Sequence, residues 1–232
     1  MANVPDFGAD LLKTFDPPIS SWVADSMRRL GIAGWTEDIH PLVPTWRFAG
    51  RARTVRYGAV TGMVRSRTTT YSFADQCQPH DVIVLAAGGT TSWLLGENVI
   101  NRCLQQGVRA VVIDGRVRDL AELLTMKMPV FAKGAAVKPP SDLEIVETDC
   151  PVEFGGAQIR PGDLLVGDAD GIAIVPAEAA RAMAIEVEDL GKLEKEQEEL
   201  IRKKAPYSEI QRVMGLKKIR KGPAFDLDFT KK

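Results

Sequence analysis

Two short segments combine charged side chains with glycines that let a backbone approach a ligand. Gly96-Glu97 follows a glycine-rich loop at 88–92, and Arg118-Asp119 comes after twenty intervening residues. An arginine supplies a fixed cation for a carboxylate or a developing enolate. Aspartate and glutamate supply the hard oxygen ligands that Mg²⁺ and Mn²⁺ prefer, and a magnesium site needs only one or two protein carboxylates. The combination favours a metal site beside an anion-binding arginine.

Each segment also has a more ordinary structural explanation. A Gly-Gly loop is often only a tight turn. An Arg-Asp pair at a strand-to-helix junction often serves as a helix cap and a salt bridge. Two histidines, His40 and His80, lie outside both segments, so they favour surface or packing roles over general-base catalysis.

The glycine-rich loop at 88–92 and the segment that ends in Arg118-Asp119 each follow a predicted buried strand. The middle of the chain alternates nearly continuous apolar runs, typical of strands buried on both faces, with helical periodicity. Parallel strands joined by crossover helices bind ligands beyond their carboxyl ends. The predicted order is strand 81–87, helix 92–107, strand 109–115, helix 118–126 and strand 129–134.

The flanking regions predict a first helix and a C-terminal arm. A helix is expected over 18–31, capped by Ser20 or Ser21 and ended by Gly31. Short antiparallel strands are expected over 143–176, because glycine-rich turns interrupt that region. The boundaries expected are one α/β domain over residues 1–176, which would carry the catalytic residues, and a helical arm and tail over 177–232.

The arm should hold one long, highly charged helix at 177–204. Its few apolar positions predict that it either lies on the outside or reaches across to another subunit. The tail at 213–232 has little pattern and is expected to be partly disordered.

Composition narrows the function classes. The 232 residues are 45% hydrophobic and 26% charged, and 30 basic residues oppose 31 acidic ones. That balance argues against nucleic-acid binding. Three cysteines are too few and too scattered for a disulfide framework or a zinc cluster. Without an apolar stretch of about 18 residues or a leader pattern, the sequence predicts a cytoplasmic protein that does not cross a membrane.

Three stretches resemble the family of 4-hydroxy-4-methyl-2-oxoglutarate aldolases and RraA-like proteins. The first is Gly96-Glu97 followed after twenty residues by Arg118-Asp119. The second is VVIDGRVRDLAELLTMKMPVFAKG at 111–134, and the third is FGGAQIRPGDLLVGDADGIAIVP at 154–176. The resemblance extends from about residue 14 to residue 203. It implies a compact α/β/β sandwich of the RraA-like, swivelling-domain type, with central parallel βαβ units and a C-terminal helical arm.

The resemblance also implies a metal-dependent aldolase that releases pyruvate through an enolate, with oxaloacetate decarboxylase activity from the same site. The substrate would be a small 2-oxo acid, the cofactor Mg²⁺ or Mn²⁺, and the assembly a homotrimer or homohexamer with active sites at subunit interfaces. Asp119 would be the main metal ligand, with Glu97 holding a metal-bound water. Arg118 would bind the 2-oxo oxygen and stabilise the enolate.

The resemblance implies two further roles, one for the start of the helix after Gly96 and one for the C-terminal arm. Gly96 and the backbone amides of Asn98, Val99 and Ile100 would hold the pyruvate carboxylate. A glutamate from the C-terminal helix of the adjacent subunit, Glu198 or alternatively Glu196, would lie near the metal.

Two other functions remain open. Some RraA-like relatives are non-catalytic regulators that bind a ribonuclease, but the retention of Glu97, Arg118 and Asp119 favours an enzyme. A lyase or hydratase acting on another oxo acid or sugar acid would use the same enolate chemistry. The loop at 88–93, which does not match the family closely, keeps that second alternative open.

Overall fold

Four parallel strands form the middle of the main sheet. The computed structural model describes residues 7–62 and 66–219. Strand β2 pairs in parallel with β3, β3 with β5, and β5 with β7. Every residue of β3, β5 and β7 is buried, as expected for strands covered on both faces. The predicted parallel core is therefore confirmed. The bounds are β2 (Phe48–Ala59), β3 (Asp81–Ala86), β5 (Ala110–Asp114) and β7 (Val130–Ala132).

Antiparallel strands complete the sheet on both sides. The strand order is β1-β7-β5-β3-β2-β11-β12, and β8 pairs with the second half of β2. A separate hairpin joins β9 and β10. Short antiparallel strands over 143–176 were predicted and are present. The bounds are β1 (His40–Pro41), β8 (Leu143–Thr148), β9 (Val152–Phe154), β10 (Ala157–Ile159), β11 (Leu164–Asp168) and β12 (Gly171–Val175).

Seven α-helices lie among the described residues, and a 3-10 turn at Ala177–Ala179 leads into the longest of them. None of them is long and apolar enough to cross a membrane. The helices are α1 (Gly8–Lys13), α2 (Ser20–Leu30), α3 (Thr70–Ala74), α4 (Glu97–Gln105), α5 (Leu120–Leu123), α6 (Ala180–Arg202) and α7 (Tyr207–Lys217).

The helix predicted to start at residue 92 starts five residues later. Residues 93–95 instead form strand β4 (Trp93–Leu95), which pairs in parallel with β6 (Arg116–Val117). The Trp93 amide also donates to the Lys138 carbonyl at 3.0 Å, and the Arg118 amide to the Leu95 carbonyl at 3.0 Å. These bonds to distant residues hold the segment extended, so its helical periodicity does not decide its structure.

Two further local predictions are wrong. The helix expected over 118–126 is only the four-residue α5, because Asp119 adopts left-handed backbone angles (φ 56°, ψ 42°) and the helix begins after it. Ser20 does not cap α2. Its hydroxyl donates to Asp168 Oδ1 at 2.6 Å and its amide to Asp168 Oδ2 at 2.8 Å, which ties the helix to β11. Gly31 ends α2 as predicted, with φ 74°.

The C-terminal helices fold back onto the chain. The first half of α6 buries Met183, Val187 and Leu190. Helix α7 packs along α6 and buries Val213, and Arg212 forms an ion pair with Glu196. The low-pattern tail predicted from residue 213 therefore begins as helix, because those contacts hold residues 213–217 in α7. The rest of that prediction, from residue 220, lies outside the described residues.

The cysteines behave as buried thiols. Cys77, Cys103 and Cys150 are all free and buried. Burial raises the pKa of the Cys77 and Cys103 thiols to about 12, so both remain protonated near neutral pH. The three thiols therefore pack within the hydrophobic core.

Candidate active site

The two charged segments meet at Gly96. Strand β6 carries the chain to Arg118 and Asp119, and β4 beside it ends at Gly96, where α4 begins. Arg118 Nε lies 3.6 Å from Asp119 Oδ2, and the Glu97 amide donates to Asp119 Oδ2 at 3.1 Å. The structure thus brings together Gly96, Glu97, Arg118 and Asp119, which were predicted to form one site.

Glycine is required at position 96 because the two charged side chains occupy the space of a side chain there. A Cβ on Gly96 would lie 2.1 Å from Asp119 Oδ2 and 2.9 Å from Arg118 Cγ. The backbone angles of Gly96 (φ −141°, ψ −167°) are ordinary extended ones. The requirement is therefore for space at the carboxylate and not for backbone freedom.

The left-handed backbone of Asp119 sets the direction of its carboxylate. A non-glycine residue adopts this conformation at some cost, and aspartate tolerates it better than most residues. The Asp119 carbonyl accepts the Leu123 amide at 3.0 Å, so α5 fixes the residue from its other side. Strained backbone of this kind is often found at functional sites.

Arg118 is positioned by an aromatic ring. Its Cζ lies 4.2 Å from the centre of the Trp93 ring, within cation–π distance. The arginine side chain is half exposed, so the ring is a main restraint on its position. Trp93 lies in the loop at 88–93, which does not match the family closely, and its contact with Arg118 was not predicted. Only the pairing of β4 with β6 brings the two residues together.

The start of α4 offers free backbone donors. The first amides of a helix have no partner within the helix and carry partial positive charge. The Ile100 amide, predicted as a substrate contact, donates to the Gly96 carbonyl at 3.4 Å, and the Ile100 side chain is fully buried. The amides of Asn98 and Val99 have no hydrogen-bond partner among residues 7–62 and 66–219. These two amides are therefore the ones available to an anion.

The Glu97 carboxylate is not hydrogen-bonded to Asp119 or Arg118. Glu97 Oε1 lies 3.5 Å from Asn101 Nδ2, a marginal distance for a hydrogen bond. Within the described part of the chain, the Glu97 carboxylate forms no hydrogen bond with Asp119 or Arg118. Its backbone is fixed at the site, while its side chain is free to turn toward a ligand.

The glutamate predicted from the arm lies elsewhere in the same chain. Glu198 is exposed on α6, whose packing partners are α2 and α7. Glu196 forms an ion pair with Arg212, whereas Glu198 has no ion pair within the described ranges. Of the two candidates, Glu198 is thus the one left available to another subunit, and its role there stays a prediction.

A cavity of about 390 Å³ opens beside Arg118. Burial raises the pKa of Tyr57 in its wall, and the Tyr57 hydroxyl lies 3.0 Å from Thr70 Oγ1. That phenol therefore remains a neutral hydroxyl at working pH. Among the described residues, the lining combines hydroxyl, aromatic and aliphatic side chains with one carboxylate. It includes Gly96, Asn98, Val99, Trp93, Tyr71, Thr68 and Glu144.

The glycine-rich loop is anchored below the site. Asp114 ends β5 and is almost fully buried. Its Oδ2 accepts the Gly89 amide at 2.9 Å, and its Oδ1 lies 2.9 Å from Lys133 Nζ. Gly88 and Gly89 both have positive φ angles, of 61° and 71°. The loop is therefore held by the hydrogen bond from the Gly89 amide to Asp114, which is in turn paired with the partly exposed Lys133 at the carboxyl ends of β5 and β7.

The donor set fits a hydrated divalent cation. No group of three or more His, Cys, Asp or Glu side chains suited to a metal occurs among the described residues. Asp119 alone presents a carboxylate, set into the space left by Gly96. Magnesium is commonly held by one or two carboxylates, with waters and substrate completing the octahedron. Zinc usually needs three or four protein ligands, which do not converge in this part of the chain.

Comparison with known proteins identifies the family. Residues 20–174 match the RraA-like family, described as Aldolase/RraA. The chain belongs to the RraA-like family. A 4-hydroxy-4-methyl-2-oxoglutarate aldolase from Thermus thermophilus is 30% identical over 130 residues, covering 56% of this chain and 76% of that protein.

Solved structures agree with the family assignment. Streptomyces coelicolor RraAS2, an unusual member of the RNase ES inhibitor RraA family, has a TM-score of 0.75 at 26% identity, covering 84% of this chain and 98% of its own. An uncharacterized protein from Pseudomonas syringae pv. tomato has a TM-score of 0.79 at 24% identity, covering 89% of this chain and 99% of its own. The latter shows only the shared fold. The fold predicted from sequence, an RraA-like α/β domain, is confirmed.

Proposed function

We propose that this RraA-like chain is a divalent-metal-dependent aldolase. It would cleave 4-hydroxy-2-oxo acids, such as 4-hydroxy-4-methyl-2-oxoglutarate, to pyruvate through an enolate, and it would decarboxylate oxaloacetate by the same chemistry. The observation that carries the proposal is the packing of Arg118 and Asp119 into the space left by Gly96. The aldolase name of the Thermus relative supports the same chemistry.

Each residue of the site has a distinct task in this reaction. Asp119 would hold Mg²⁺ or Mn²⁺, which acts as a Lewis acid on the 2-oxo group when bound. Arg118, stacked on Trp93, faces the 2-oxo oxygen and stabilises the charge that develops there. The amides of Asn98 and Val99 at the start of α4 receive the substrate carboxylate. Glu97 orients a water that accepts the hydroxyl proton.

The bond changes follow from this placement. Removal of the proton from the C4 hydroxyl makes C4 a carbonyl, the C3–C4 bond breaks, and its electron pair forms the enolate of pyruvate. Protonation at C3 then gives the methyl group of pyruvate. With 4-hydroxy-4-methyl-2-oxoglutarate the other fragment is also pyruvate. Oxaloacetate loses CO₂ in place of the carbonyl fragment and leaves the same enolate.

A second candidate concerns the substrate class. The cavity beside Arg118 includes hydroxyls of Tyr57, Thr68 and Tyr71 and one carboxylate, Glu144. This lining supports a lyase that acts on a hydroxylated sugar acid, because neutral hydroxyls hydrogen-bond to substrate hydroxyls. Both candidates share the enolate step and differ only in the group beyond the cleaved bond.

The test is pyruvate release, coupled to lactate dehydrogenase, from 4-hydroxy-4-methyl-2-oxoglutarate and from oxaloacetate. We expect turnover with Mg²⁺ or Mn²⁺ and none with EDTA. Asp119→Asn should lose at least ~10²-fold in turnover. The control is Asp10→Asn, which changes an exposed aspartate on α1 and should leave turnover intact.

Two outcomes would overturn the proposal. Turnover that survives EDTA or Asp119→Asn would remove the metal from the reaction. Absence of pyruvate from both compounds, with Mn²⁺ bound to the folded chain, would reject the aldolase. In that case hydroxylated 2-oxo sugar acids and inhibition of a ribonuclease should be assayed next, the latter because RraAS2 belongs to an RNase inhibitor family.

A further inference from the structure

A second cavity, of about 340 Å³, lies at the end of the strands opposite to Arg118. It is at the amino-terminal ends of the parallel strands, whereas the candidate active site is beyond their carboxyl ends. One basic residue precedes each of the four neighbouring strands β2, β3, β5 and β7. These residues are Arg47, His80, Arg109 and Lys127, and all four line the cavity.

The loops that carry these residues are tied together. The His80 amide donates to the Gly107 carbonyl at 3.3 Å, and the Arg109 amide donates to the Asp81 carbonyl at 2.7 Å. A Cβ on Gly50, in β2, would lie 3.5 Å from the Arg109 Cβ. The His80 and Arg109 side chains therefore extend from a hydrogen-bonded framework and not from a long loop.

The positive charges of this cavity are not neutralised from within. Of the residues that the structure describes, no aspartate or glutamate lines it. Across residues 7–62 and 66–219, the four basic side chains form no hydrogen bond or ion pair. Asp81, which follows His80 directly, is fully buried and bonded to Arg51 and Arg53. Clustered like charges repel, and a bound anion removes that repulsion.

We propose that this cavity binds a small phosphorylated compound with at least two phosphate groups. Adjacent strands lie about 4.8 Å apart, so four strands spread their basic residues over roughly 15 Å. One phosphate contacts only part of such a row, whereas two linked phosphates extend along it. The volume falls at the lower end of the range for small-molecule sites. In a chain whose net charge is −1, the two arginines and one lysine that line this cavity are a local concentration of positive charge.

Titration calorimetry with inorganic pyrophosphate, in metal-free buffer at low salt, tests the proposal on the full chain. We expect saturable binding of one pyrophosphate per chain, which Arg109→Gln/Lys127→Gln weakens at least ~10-fold. The control Arg28→Gln/Lys192→Gln removes the same two charges from exposed sites on α2 and α6 and should leave the affinity within about twofold. Arg118→Ala should also bind normally, so this result does not depend on the proposed aldolase.

Three outcomes would overturn it. Wild-type protein that shows no saturable binding has no such site. Equal weakening by both double variants would mean that pyrophosphate responds only to overall charge. The third outcome combines two results. If the wild-type oligomer binds no pyrophosphate, and sedimentation shows that Arg109→Gln/Lys127→Gln dissociates it, the cavity contacts another subunit.

Discussion

At the residue scale, the site depends on the absence of a side chain at position 96, which is a glycine. Gly96 leaves the space into which Asp119 and Arg118 pack, and a Cβ there would overlap the carboxylate at 2.1 Å. Gly96→Ala should therefore displace both side chains. Displacements of about 1 Å can cost ~10² in rate, so we expect a loss of this size in pyruvate release, together with weaker Mn²⁺ binding.

The matched control is Gly215→Ala. A Cβ on Gly215, in α7, meets no atom within 4 Å. This variant should keep full turnover and Mn²⁺ affinity. Near-normal turnover of Gly96→Ala would show that the contacts around Asp119 do not set the catalytic geometry.

Trp93 is expected to act as a positioning residue through Arg118. Cation–π contacts contribute roughly 0.5–2 kcal/mol, so Trp93→Leu should lower kcat/KM by about 2- to 30-fold, mainly through kcat. Trp93→Phe should recover part of the loss because it keeps an aromatic face. Steady-state kinetics on the three proteins measure this. Trp35→Leu, at an exposed tryptophan remote from Arg118, serves as control. A Phe variant no better than the Leu variant would exclude the cation–π contact.

At the scale of elements, the sequence predicts what local pattern determines. The apolar runs of β3, β5 and β7 and the stop at Gly31 depend on nearby residues, and they were predicted correctly. Strand β4 depends on β6, more than twenty residues away, so its helical periodicity was misleading. For the same reason the contact of Trp93 with Arg118 was not predictable, although Arg118 and Asp119 themselves were identified.

The crossing of α2 and α6 gives a test of packing. A Cβ on Gly191, in α6, would lie 2.7 Å from Trp22 Cζ3. Alanine gains up to ~1 kcal/mol over glycine within a helix, and overpacking costs ~1–3 kcal/mol. The free energy of unfolding of Gly191→Ala should therefore be about 1–3 kcal/mol below that of Gly215→Ala, whose Cβ enters open space. Urea unfolding measures both. Equal stabilities would show that Trp22 moves aside without cost.

At the scale of the whole molecule, the two proposed sites lie at opposite ends of the parallel strands. The aldolase candidate uses the carboxyl ends of the strands, and the basic cavity uses their amino ends. Helix α4 runs between them, from Gly96 to the loop at Gly107. The division at residue 176, the trimer or hexamer and the reach of Glu198 into a neighbouring subunit stay predictions. Exposed Leu120 and Leu124 beside Asp119 are consistent with such a neighbour.

Stability should carry a pH dependence from Asp163. Burial raises the pKa of this carboxyl to about 6, against hydrogen bonds from the Arg160 and Ala177 amides that lower it. Between pH 4 and 6 the folded state therefore holds a proton that the unfolded state has lost. The contribution of Asp163 to stability is thus present below pH 4 and is lost as pH rises through 6, by up to about 3 kcal/mol.

Comparison with Asp163→Asn isolates this contribution. Carboxyls with a lowered pKa, such as Glu178, make the protein more stable as pH rises, but they are present in both proteins and cancel in the comparison. Urea unfolding from pH 4.5 to 7.5 should show wild-type stability falling relative to the variant as pH rises. A constant difference would mean that Asp163 is ionised throughout.

The enolate step is tested most directly by exchange of the methyl protons of pyruvate in D₂O, followed by NMR. This exchange requires the enolate and is independent of the group beyond the cleaved bond, so it tests both substrate candidates. We predict metal-dependent exchange by wild-type protein and a loss of at least ~10²-fold in Arg118→Ala. Exchange at the uncatalysed rate by a folded chain that binds both Mn²⁺ and pyruvate would contradict the enolate account.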